Sequence, residues 1–172
     1  MNTKELKYIS QKDSHTCRLV TLLNAHIHEF GNSPIEYNTD DYFAFYNKCD
    51  IDGEKHLSNE AYDLIKAKKE NFTGDARSFK KWFHNHIVSG NCVDMVSYCQ
   101  GLHSFLVCGY NAHFDNYMCV NSKIYTDEQV VEWLPFPILL TGTTGRNDFN
   151  SLKNIKIKKY HKELCTALIF NK

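Results

Sequence analysis

Several features are missing from this 172-residue chain, and each absence removes a class of protein. No charge of either sign dominates, since 20 Lys+Arg balance 20 Asp+Glu. That balance speaks against general nucleic-acid or membrane-surface binding, which wants a basic excess. Long hydrophobic runs are lacking too. The longest purely aliphatic one is Ile138-Leu139-Leu140, far short of the ~18 apolar residues of a membrane span. The start, Met1-Asn2-Thr3-Lys4-Glu5-Leu6, carries no apolar signal region, so a cytoplasmic location is expected, in a bacterium or delivered there by a phage. Proline is scarce, at three. There is no internal repeat, low-complexity tract or linker. Cysteine is plentiful, at seven, but the count is odd and contains no Cys-x-x-Cys pair. Several lie in strand-like runs such as Val107-Cys108-Gly109, so they read as reduced, buried small hydrophobes.

What is present is a globular composition, 42% hydrophobic and 23% charged. A chain of this length buries ~70% of its unfolded surface and needs no staples. The first half reads as helices. Leu19, Val20, Leu22, Leu23, Ile27 and Phe30 repeat at helical spacing from Cys17 and stop at Gly31-Asn32-Ser33-Pro34. Thr39 is a candidate N-cap, with Asp40 and Asp41 in the first turn behind it. Ser58 opens a third helix, with Ala61, Leu64 and Ile65 inward and Lys66, Lys68 and Lys69 outward. Asp75 or Ser78 opens a fourth, carrying Phe79, Trp82, Phe83 and Ile87.

After Gly90 the texture changes to strands: 92–99, 104–110, 117–121, 138–141, 155–158 and 164–170, with a hairpin loop at 111–116. A short helix capped by Thr126 is predicted over 127–133. Helices first and strands second make an α+β protein. The expected organisation is one domain over 1–172, with a helical lobe at 1–90 and an antiparallel β lobe at 91–172.

Four residues carry the chemistry. Cys17 opens an apolar helix, where the positive end of the dipole favours thiolate. Taken alone, a cysteine there is more often packing. Gln11 lies six residues earlier, in the polar loop Gln11-Lys12-Asp13-Ser14-His15-Thr16. Its amide can curl back and point an N–H at the atom that Cys17 attacks. His103 stands where a strand begins. Asn121 ends the next strand, and in an antiparallel hairpin those two positions are neighbours. An Asn there can hold the imidazole in one orientation. The ordered set is that of a nucleophile, a base and an orienter.

On these motifs the chain resembles the papain-like cysteine peptidases, most of all the compact bacterial and phage branch related to bacteriocin leader-processing peptidases. The matches are Gln11-Lys-Asp-Ser-His-Thr-Cys17-Arg-Leu-Val, Leu102-His103-Ser-Phe-Leu-Val-Cys-Gly109-Tyr110 and Tyr117-Met-Cys-Val-Asn121. The stretch Tyr125 to Trp133 is similar to a short helix of that branch. The resemblance implies a papain-like fold with the active site in a cleft between the lobes. It implies a thiol hydrolase with Cys17 as nucleophile, His103 as base, Asn121 as orienter and Gln11 as oxyanion donor. A protein or peptide is then the substrate, with no metal or organic cofactor. The chain departs from the family at Arg18, where Gly or Trp is usual, and at Asn121-Ser122, where Asp-Pro is common. Arg18 is expected to line the cleft. The same triad also suits acyl transfer or deamidation, and a papain-like scaffold without turnover suits a binding protein, such as a phage product that captures a host factor.

Other clusters are weaker. His26 with His28, and His84 with His86, are spaced i, i+2 and so point to different helix faces. Asp50-Ile-Asp52-Gly53 lacks the closing ligands of a calcium loop. Gly142 to Arg146 lacks the end of a phosphate loop. The lysines at 153, 156, 158, 159 and 162 read as the solvated face of an edge strand.

Overall fold

The computed structural model describes residues 6–13, 15–51, 56–74, 76–97, 103–121, 131–139 and 165–170, with the backbone alone at 76, 96, 97 and 103. Helix α1 (Cys17–Phe30) is buried along every position from Cys17 to Ile27. It ends where the glycine was expected to end it. Gly31 adopts φ 84°, and its N–H reaches the Ile27 carbonyl at 2.8 Å. Helix α2 (Asp40–Cys49) starts as predicted, with Thr39 Oγ1 accepting the Tyr42 N–H at 3.2 Å. Helix α3 (Asn59–Leu64) follows Ser58.

The expected third helix stops short of its lysines. Lys66 takes φ 61°, and the chain turns into strand β1 (Ala67–Asn71). Lys68 and Lys69 lie on that strand, exposed, rather than on a helix face. A stretch this polar carries no alternation to announce a strand. Pairing with the far end of the chain makes it one, and lysines are tolerated at an edge.

Helix α4 (Ala76–Val88) precedes strands β2 (Cys92–Ser97), β3 (His103–Asn111), β4 (Asn116–Val120) and β5 (Val131–Leu134). A one-turn helix α5 (Phe136–Leu139) and strand β6 (Cys165–Phe170) complete the described elements. Two expectations are corrected here. Residues 131–133, predicted as helix, are strand, with Val120 opposite Val131 and Met118 opposite Trp133. Residues 138–139, predicted as strand, belong to α5, where the Pro135 carbonyl accepts from Ile138 N–H at 3.0 Å. Pro137 donates nothing to a sheet ladder but is tolerated in a first helical turn. The predicted strand at 155–158 and the residues 127–130 lie outside the described residues.

The sheet runs β1-β6-β2-β3-β4-β5, and all neighbours are antiparallel. The protein is thus α+β. Strand alternation sends two sets of side chains to two cores. Leu106, Val120 and Leu168 meet α1, α2 and α3 on one face. Phe105, Val107 and Tyr117 meet Phe79 and Phe83 of α4 on the other. The segment expected to be a helical lobe therefore also supplies an edge strand. Among the described residues no helix is long and apolar enough to cross a membrane.

Candidate active site

The loop before α1 is organised by Asp13. Its carboxylate accepts the Thr16 N–H at 2.7 Å, the His15 N–H at 3.0 Å, the Thr16 hydroxyl at 2.7 Å and the Tyr37 hydroxyl at 2.5 Å. Tyr42 donates in turn to Thr16 Oγ1 at 2.8 Å. Burial raises the Asp13 pKa, but hydrogen bonds from Tyr37, Thr16 and the backbone outweigh it, so the net shift is downward. Such a group stabilises the fold above its unfolded pKa of about 3.9. That contribution is lost as pH falls through the lower folded value. Asp13→Asn is therefore expected to cost about 1.5–3 kcal/mol at neutral pH, the worth of a hydrogen bond to a charged group. Thermal melts of both proteins should draw together below about pH 4 and converge only once pH passes the lowered folded pKa, where wild-type Asp13 is also neutral. A gap that persists in acid would assign the loss to shape rather than charge.

Gln11 is fully buried in this loop. Its Nε2 donates to the Asp13 carbonyl at 2.9 Å, and its Oε1 is buried with no hydrogen-bond partner among the described residues. An amide nitrogen carries two protons, and the Asp13 carbonyl takes one.

Cys17 is the first residue of α1 and is 2% exposed. The six described cysteines are all buried thiols. Burial pushes the thiols of Cys108 and Cys119 well up, with Cys119 adding to the shift at Cys108 and Glu132 to that at Cys119. Cys49 is also raised, by burial first.

Arg18 does not line a cleft. It is 4% exposed and turned into the sheet, where Nε meets Asp94 Oδ2 at 3.0 Å and a terminal nitrogen meets Thr166 Oγ1 at 3.1 Å. Asp94 is a fully buried carboxylate in the middle of β2. A buried carboxylate demands a cation, and the second residue of α1 supplies it. Ser104 Oγ lies 2.5 Å from Asp94 Oδ1 and 2.9 Å from Thr21 Oγ1, and the Thr21 hydroxyl lies 3.0 Å from the Cys17 carbonyl. A chain of contacts thus runs from the first turn of α1 to the second residue of β3.

His103 opens β3, its backbone opposite Ser97. Its side chain, and hence its distance from Cys17, lies outside what the structure describes. Asn121 directly follows β4 and is 2% exposed. The last paired residue before it, Val120, stands opposite Leu106. Continuing that register sets Asn121 level with Phe105, two residues along β3 from His103 rather than directly opposite it. The register slips by one residue between Val107 and Gly109, a bulge that moves the end of β4 one step along β3.

The four histidines weighed for metal binding have partners in the protein. His26 lies against the Asn32 carbonyl, His28 against the Tyr8 hydroxyl, His84 against the Tyr117 hydroxyl and His86 against Glu70. Among the described residues no three His, Cys, Asp or Glu side chains gather where a metal could sit. Asp50 forms a bridge to Leu57, while Asp52, Gly53, the 142–146 segment and the lysines of 153–162 lie outside the described residues.

Sequence reasoning passed over Asp13, Thr21, Asp94 and Ser104. A signal for Asp94 exists. It is a lone acid inside Cys92-Val93-Asp94-Met95-Val96, and a charge in an apolar strand calls for a buried partner. The chain matches no protein-family model, and no curated protein matches it.

Proposed function

We propose that this protein is a thiol hydrolase that cleaves a peptide or isopeptide bond, with a papain-like arrangement of Cys17, His103, Asn121 and Gln11. One observation carries the reading. The hydroxyls of Thr21 and Ser104 tie the turn that begins with Cys17 to the residue next to His103. The elements that carry Cys17 and His103, 86 positions apart in sequence, thus touch through Thr21 of α1 and Ser104 of β3. The buried Asn121 at the end of β4 and the buried Gln11 before α1 add the remaining members.

In this mechanism His103 takes the Cys17 proton, and the thiolate adds to the substrate carbonyl. The Cys17 backbone N–H and the second Gln11 amide proton stabilise the oxyanion. His103 then gives its proton to the leaving amine, and water hydrolyses the thioester. Asn121 orients the imidazole. The chemistry needs no metal or organic cofactor, and its substrate is a protein or peptide.

The test is selective alkylation. At pH 6, iodoacetamide or a peptidyl electrophile should modify Cys17 before the other cysteines, and His103→Ala should abolish the preference. The raised thiols of Cys49, Cys108 and Cys119 favour a low background. Similar rates at several cysteines would overturn the assignment.

A further inference from the structure

We propose that Thr21 is a positioning residue, whose hydroxyl locks the first turn of α1 against β3 at Ser104 and so fixes the place of the Cys17 thiol. The proposal rests on the thiol-hydrolase reading and names the device that would hold its nucleophile in place.

The argument is one of proton counting. Thr21 and Ser104 have one hydroxyl proton each but share three contacts: Thr21 with the Cys17 carbonyl, Thr21 with Ser104, and Ser104 with Asp94. Asp94 is paired with Arg18 at 3.0 Å, and as a carboxylate it can only accept. The Ser104 proton therefore goes to Asp94, at 2.5 Å the shortest of the three contacts. Thr21 Oγ1 donates to the Cys17 carbonyl on the helix and lies in contact with Ser104 Oγ on the strand, so it is the hydroxyl that touches both elements. No other hydroxyl of this chain of contacts can do so.

All members are buried: Arg18 4%, Thr21 2%, Asp94 0% and Ser104 1% exposed. Water is thus a poor substitute for a missing hydroxyl. The buried ion pair anchors Ser104, Ser104 anchors Thr21, and Thr21 lies one turn below Cys17. Loosening that turn moves the sulfur, and a displacement on the order of 1 Å can cost up to 10²-fold in rate.

The experiment uses the full chain and iodoacetamide at pH 6, with the Cys17 rate read by peptide mass spectrometry and the other cysteines as internal references. Thr21→Val keeps the shape and removes the hydroxyl; the Cys17 rate should fall on the order of tenfold. Thr21→Ser keeps the hydroxyl and should restore most of it. Ser104→Ala should reproduce the loss by a second route and carries the test if Thr21→Val does not fold, which circular dichroism reports. A purely structural role gives the opposite sign: loosened packing raises the rates at Cys17 and the other buried cysteines together, and that result overturns the proposal. If wild-type Cys17 is selectively labelled but neither Thr21→Val nor Ser104→Ala slows it, positioning alone is wrong. If wild-type Cys17 shows no selectivity, the hydrolase reading falls and takes this proposal with it.

Discussion

Asp94→Ala should cost about 3–5 kcal/mol of folding stability, the penalty for breaking a buried ion pair by removing one partner. Typical domains hold only about 5–15 kcal/mol in total, so the variant would stand near the edge of folding. The size follows from burial. The Arg18 side chain is 5% exposed and that of Asp94 0%. Deleting the carboxylate leaves a guanidinium in a dry helix–sheet interface and strips Ser104 of an acceptor. Replacing both charges, as Arg18→Met with Asp94→Leu, should cost far less than the two single changes added, because no uncompensated charge remains. Urea denaturation of the wild type and these four variants measures this. A loss below about 1 kcal/mol for Asp94→Ala would mean that the pair behaves like a solvated surface bridge.

The second large effect is on activity. Cys17→Ala should eliminate turnover of a peptide or isopeptide substrate while the protein stays folded, since the change removes one sulfur and leaves the helix intact. His103→Ala should be nearly as severe. Asn121→Ala should hurt less, because orientation is only part of what His103 does. Gln11→Ala should lower kcat about 10²-fold or more with a smaller effect on KM, since the oxyanion exists mainly in the transition state. Steady-state kinetics together with circular dichroism separate these cases. Full activity from a folded Cys17→Ala protein would end the thiol-hydrolase reading and leave the α+β fold standing.

Local chemistry was enough to read much of this molecule from its residues. The start of α1 at Cys17, its stop at Gly31, the Thr39 cap, and the strands holding Phe105, Tyr117 and Leu168 all follow from spacing, caps and alternation. Each of these signals acts within a few residues and needs no partner. The hairpin argument also paired β3 with β4 across 111–116, because a short loop leaves antiparallel strands little choice. The proposed set Gln11, Cys17, His103 and Asn121 was legible only as an order of residue types.

Tertiary structure decided the rest. Ala67–Asn71 became a strand because β6, about a hundred residues later, offers it an edge, with Ala67 opposite Phe170. Val131–Leu134 became a strand because β4 does the same. Arg18 turned inward because Asp94, 76 positions away, and Thr166, 148 positions away, are held within its reach. Nothing within a helical turn of Arg18 announces that choice, and an arginine at a helix start points to solvent unless a buried anion waits for it. Spacing and capping act through neighbouring residues, so the sequence by itself determined where most elements begin. Edge pairing and buried charge compensation act through residues brought together only by folding, so they alone decided which strands close the sheet and what anchors the turn that starts with Cys17.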